Sequence, residues 1–193
     1  MKKEILVFIF DGYADWEPAF VCSELNSSDT QYAVKTISLD TAPKLSMGGF
    51  RVLPDYAVTD FPSNFALLIL TGGYAWLERK NDAVLPVVEY AVKHHIPVGA
   101  ICNAATFMAE NGYLDNIRHT GNSLEFMSTN APHYRGAQYF QEKQAVCDST
   151  IVTANGSGAL EFGRELLSLL HAKPPEAIAD WYSLNKTGFY PAK

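Results

Sequence analysis

The chain has 193 residues, 48% of them hydrophobic and 19% charged, with a formal net charge of −6. That length and composition suit one domain with a real apolar core. The scattered Lys and Arg residues argue against a nucleic-acid surface, and no apolar stretch approaches the roughly 20 residues of a membrane span.

Residues 5–10 form a continuous apolar run, the pattern of a central strand buried on both faces, and Asp11-Gly12 ends it. The run is too short for a secretory signal peptide and no small-residue cleavage site follows, which points to a cytoplasmic protein. A helix is predicted over about 16–25, with Pro18 tolerated in its first turn. A polar loop at 26–30 leads to a strand over 32–39. Residues 44–53, with Gly48-Gly49 between two short runs, read as a β-hairpin beside the main sheet. A second buried strand over 65–70 stops at Thr71-Gly72-Gly73.

Apolar positions 84, 85, 87, 88 and 92 give 82–95 a helical rhythm. A strand over 96–101 runs into Cys102, and a helix over 103–110 ends near Asn111-Gly112. A strand near 117–120, a helix over 123–129 and a strand pair at 144–147 and 151–154 follow. An amphipathic helix covers 159–170, and Pro174-Pro175 opens a last one reaching about 184. This alternation gives βαβ units around a mostly parallel sheet, with residues 1–193 read as a single domain. Trp76, Trp181, Tyr182, Phe189 and Tyr190 read as cover for core edges or a dimer interface.

The sharpest local feature is Pro97-Val98-Gly99-Ala100-Ile101-Cys102-Asn103-Ala104-Ala105. A strand of small and β-branched residues meets a nucleophile, then a helix of small residues. This is the arrangement of a nucleophile elbow with Cys in place of Ser. A sulfur at a helix N-terminus faces unpaired N–H groups and the positive dipole end, which favour thiolate. The competing reading is a buried structural cysteine. Two other strand ends point to the same crevice, because ligands of open α/β sheets bind outside the carboxyl ends of strands. One is Thr71-Gly72-Gly73, with its backbone N–H groups; the other carries Asp11, Asp15 and Glu17. Cys22 reads as core-facing, and Cys22, Cys102 and Cys147 make neither a zinc site nor a disulfide framework. Gly156-Ser157-Gly158 reads as a turn and helix cap.

In that order and spacing, the chain resembles the DJ-1/PfpI superfamily over nearly its whole length. The resemblance rests on the first strand with Asp11-Gly12 and Glu17, on Leu70-Thr71-Gly72-Gly73, on Ala100-Ile101-Cys102-Asn103-Ala104, and on Ala159-Leu160-Glu161-Phe162. It implies a flavodoxin-like three-layer sandwich related to class I glutamine amidotransferases. It further implies Cys102 as nucleophile with Glu17 hydrogen-bonded to it, and Gly72, Gly73 and Asn103 around a substrate oxyanion. A homodimer without metal or cofactor belongs to the same expectation. The implied activity is a cysteine-dependent enzyme for a small electrophile: a carbonyl, an amide or a glycation adduct. The alternatives are a redox sensor that oxidises Cys102, and a glutamine amidotransferase-like or ligand-binding domain.

The resemblance breaks at the histidine that hydrolytic members place beside the cysteine. Asn103 follows Cys102 directly, and by the register from Gly112-Tyr113-Leu114 the later position falls at Asn122. His119 takes that place only if the strand register differs. An asparagine does not titrate and cannot serve as a base.

Overall fold

The computed structural model describes residues 2–189. In chain order the elements are β1 (Lys3–Phe8), α1 (Trp16–Leu25), β2 (Tyr32–Ser38), β3 (Lys44–Leu45), β4 (Arg51–Val52), β5 (Tyr56–Ala57) and β6 (Phe65–Leu70). Then come α2 (Leu85–Lys93), β7 (Val98–Ile101), α3 (Asn103–Glu110), α4 (Leu124–Asn130), β8 (Ala145–Asp148), β9 (Ile151–Ala154), α5 (Ala159–Leu169) and α6 (Pro175–Thr187).

The main sheet runs β5-β2-β1-β6-β7-β9-β8. All its pairings are parallel except β8 against β9. This is the flavodoxin-like α/β architecture expected from the sequence. The central strands are apolar where helices cover both faces; Ile5 to Phe8 and Leu67 to Leu70 are buried without interruption. Gly99 lets α5 approach β7, since a Cβ there would lie 2.7 Å from Phe162. The order reverses beside β1, where β2 lies on one side and β6 on the other. The carboxyl ends of β1, β6 and β7 therefore share one crevice, the usual place for a ligand in such a sheet.

The predicted hairpin is present as β3 and β4, paired antiparallel in a sheet of their own. Three expectations need correction. Residues 117–120 form no strand; only a bridge from His119 to Phe140 exists, and the Thr120 N–H donates to Thr153 Oγ1 (2.8 Å) instead of to a ladder. The helix over 82–95 splits into a 3₁₀ turn, Asp82–Val84, and α2, with Pro86 in the first turn of the latter. The last helix continues to Thr187 and ends on Gly188 at φ 78°. Trp76 is buried, packed on Phe8, Phe10 and Phe107, whereas Phe189 is exposed; Tyr190 lies outside the described residues. Among the described residues no helix is long and apolar enough to cross a membrane.

Candidate active site

Cys102 sits between β7 and α3 with φ 60° and ψ −128°. A side chain at positive φ is strained, and the surroundings hold it there. The Cys102 N–H donates to Ala154 O (2.9 Å) on β9, and Cys102 O accepts from the Ala105 N–H (3.1 Å). Two glycines from other loops make room for the side chain. A Cβ on Gly72 would lie 2.6 Å from Cys102 Cβ and from both Glu17 carboxyl oxygens; one on Gly156 would lie 3.1 Å from the sulfur.

The three carboxylates after β1 divide their work. Asp11 Oδ1 accepts from the Leu45 N–H (2.8 Å), and Asp15 accepts from Ser46 Oγ (3.0 Å) and the Gly48 N–H (3.2 Å). Both thereby tie the β3–β4 hairpin to the loop before α1. Glu17, one residue into α1, points inward instead and is 0% exposed. Its Oε2 accepts from the Gly72 N–H at 2.5 Å. Oε1 is buried with no hydrogen-bond partner among the described residues, and the Cys102 side chain is its neighbour across Gly72. Burial raises the Glu17 carboxyl to about 7, against the pull of the Gly72 N–H and the thiol.

The sulfur's own electrostatics depart from the sequence expectation. The Asn103 N–H and Asn122 do favour thiolate, as a helix N-terminus should. Burial and the neighbouring Glu17 charge outweigh them, so the Cys102 thiol is raised rather than lowered. Two acids side by side in a buried site cannot both ionise cheaply, so the carboxyl and the thiol each keep their proton to a higher pH than usual.

A chain of side-chain amides surrounds the pair. Asn122 Nδ2 lies 3.4 Å from Cys102 Sγ and donates to Asn103 Oδ1 (3.1 Å), while Asn103 Nδ2 donates to Gly73 O (3.1 Å). The Gly156 N–H donates to Asn122 Oδ1 (3.0 Å), which fixes the amide with its N–H side toward sulfur. His119 is elsewhere. It is buried, Nδ1 donates to Ile117 O (2.7 Å), and Nε2 accepts from Tyr134 OH (2.5 Å). With both nitrogens occupied and burial lowering its pKa, it is a neutral packing group. The position beside the sulfur belongs to Asn122.

Above Cys102 opens a cavity of about 250 Å³, lined by Ala14, Trp16, Glu17, Met47, Gly73, Tyr74, Cys102, Asn103, Asn122 and Phe126. A family model described as "DJ-1/PfpI family" matches residues 3–169. The chain belongs to the DJ-1/PfpI family. Two relatives from Bacillus subtilis (strain 168) bear the names "Uncharacterized protease YdeA" and "Uncharacterized protease YoaZ". The first is 39% identical over 188 residues, covering 97% of this chain and 93% of the relative. The second is 32% identical over 192 residues, covering 96% and 91%. Among solved structures, the thiJ/pfpI family protein from Bacillus anthracis superposes with a TM-score of 0.90 at 33% identity, covering 98% of this chain and 92% of that one.

In this DJ-1/PfpI chain, the residues singled out from sequence lie together, with one change of role. The Gly72 amide is taken by Glu17, so it positions the carboxyl and is not available to a ligand. The Gly73 N–H, by contrast, makes no hydrogen bond among the described residues. Gly73 has φ 146°, and a Cβ there would lie 2.8 Å from Gly12 O, which excludes larger residues. Sequence reasoning missed the cavity wall. Trp16 and Tyr74 each adjoin a residue it had chosen, Glu17 and Gly73; Met47 and Phe126 carried no such sign. The other thiols differ: burial pushes Cys22 up to about 12, and Cys147 is also raised by burial.

Proposed function

We propose that this DJ-1/PfpI chain is a cysteine-dependent enzyme acting on a small electrophile, with a carbonyl compound, an amide or a glycation adduct as the class. The observation that carries this reading is a buried carboxyl, poised near pH 7, in contact with a thiol at the floor of an open cavity. A proton-transfer group works best when its pKa lies near the operating pH. As the sulfur lone pair forms a bond to the electrophilic carbon, the thiol proton passes to Glu17. The carbonyl π pair moves to oxygen, where the N–H groups of Gly73 and Asn103 receive it. Glu17 then returns the proton to the oxygen, giving a thiohemiacetal, or to an amine as its C–N bond breaks, giving a thioester that water hydrolyses to free the thiol. Asn122 donates to the sulfur and takes no proton.

The printed names of the two Bacillus relatives put amide and peptide hydrolysis among the reactions to assay. The reading also includes a cytoplasmic homodimer, which sedimentation would check. The direct test follows Cys102→Ser across a panel of aldehydes, amides and glycated amines. Turnover lost in the variant supports the mechanism, and turnover retained rejects it.

One observation favours a second reading. Donors converge on the sulfur from Asn122 and Asn103 and no histidine is among the described residues lining the cavity, a setting that would suit the oxygens of a sulfinate. Two equivalents of peroxide would oxidise the thiol to sulfinate and leave two waters. Under limiting peroxide, mass mapping should then find oxygen on Cys102 before Cys22 or Cys147; indiscriminate oxidation counts against it.

A further inference from the structure

The cavity above Cys102 is polar only at its floor. Trp16, Met47, Tyr74 and Phe126 form its walls. They come from the start of α1, the β3–β4 hairpin, the segment after β6, and α4. Trp16 is 50% exposed, Met47 42% and Tyr74 71%. Single exposed apolar residues are ordinary on a soluble protein, but convergence around one opening marks a contact site.

Charge is distributed just as unevenly. Among the described residues lining this cavity there is no Lys, Arg or His, and the ionisable groups are Glu17, the thiol and the Tyr74 phenol. The cations Lys143 and Arg164 line a different, larger cleft of about 580 Å³, which shares Asn122 with this cavity. An anionic substrate entering the Cys102 cavity would meet the Glu17 carboxyl with no countercharge, at a cost that grows as water is excluded. The cavity is also smaller than the roughly 300–1,000 Å³ of a drug-sized site.

We infer that the Cys102 site selects uncharged electrophiles bearing one apolar group, up to about the size of an aromatic ring, which lies against Trp16, Met47 and Tyr74. This rests on Cys102 being the nucleophile and narrows what it attacks.

The test compares rates of Cys102 alkylation by iodoacetamide, N-benzyl iodoacetamide and iodoacetate, read by peptide mass mapping. Each rate is divided by that of 2-mercaptoethanol with the same reagent, which removes intrinsic reactivity. The benzyl probe is expected to exceed iodoacetamide by about tenfold or more, and iodoacetate to fall about tenfold below it. Trp16→Ala and Tyr74→Ala should each cut the benzyl preference to within about threefold of the free thiol. Leu53→Ala, an exposed residue outside the cavity, should retain it. Equal normalised rates for the three probes overturn the inference while leaving Cys102 a nucleophile. So does a benzyl preference that survives both wall variants. If the wall variants change the sedimentation coefficient and not the preference, the apolar rim is a contact between copies and the inference falls. Inertness of Cys102 toward all three probes would overturn the enzymatic reading as well.

Discussion

Replacing Glu17 by Gln keeps the shape of the side chain and removes its proton equilibrium. In the native protein, burial raises this carboxyl from the ordinary 4.5 to about 7. The unfolded chain therefore ionises first as pH rises. Between those two values the native state holds more protons than the unfolded state, so Glu17 makes stability fall with increasing pH. The stability it allows is fully present below the unfolded value and is lost by the time pH passes the folded one. Each pH unit across that span is worth about 1.4 kcal/mol, giving a total of about 3 kcal/mol. Glu17→Gln is free of this loss, and its carbonyl can still accept from the Gly72 N–H. Urea unfolding of both proteins at pH 5 and pH 8 provides the measurement, since every other carboxylate titrates alike in the two and cancels. The stability of the variant relative to wild type should rise by about 2–3 kcal/mol between the two pH values. A difference that stays constant within about 0.5 kcal/mol, or that moves the other way, would refute the placement of a raised carboxyl at this position.

Gly72→Ala forces a methyl group to within 2.6 Å of Cys102 Cβ and the Glu17 oxygens. It should cost about 1–3 kcal/mol in urea unfolding and slow Cys102 alkylation together; an unperturbed variant would mean that the loop is slack. Asn122→Asp replaces the donor 3.4 Å from sulfur by a carboxylate. A second negative neighbour disfavours thiolate, so the pH midpoint of Cys102 alkylation should move upward, and a midpoint that stays or drops contradicts the amide orientation. Asp15→Ala removes both ties to Ser46 and Gly48. Amide exchange over 46–50 should quicken, with about 1 kcal/mol lost in stability; unchanged exchange would show that Asp11 and the backbone suffice.

The strands that carry the site were readable because of where they lie. β1, β6 and β7 are covered on both faces, which writes them as unbroken apolar runs ended by Asp11-Gly12, Thr71-Gly72-Gly73 and Cys102. Parallel pairing then places their carboxyl ends side by side without further information. β5 pairs only through Tyr56 and Ala57 and leaves no periodicity to read. Residues 117–120 have the composition of a strand, yet their amides are claimed by Thr153 Oγ1 and Tyr139 O. The family resemblance, counted in register from Gly112, put Asn122 at the position beside Cys102, and its Nδ2 lies 3.4 Å from the sulfur. The direction of the Cys102 pKa was not legible. Helix position is a local property that sequence displays, but the burial that overrides it comes from Glu17, Gly72 and Gly156 arriving from three other segments.

The backbone at Cys102 has a consequence for how this chain would drift. A φ of 60° with ψ −128° is open to glycine and costs other residues about 1–3 kcal/mol. Selection for folding alone would thus favour glycine at this position, in a surrounding already shaped to fit a small residue. The thiol persists only where something rewards it against that gradient. A copy of this chain released from its duty would lose its sulfur well before it lost its fold.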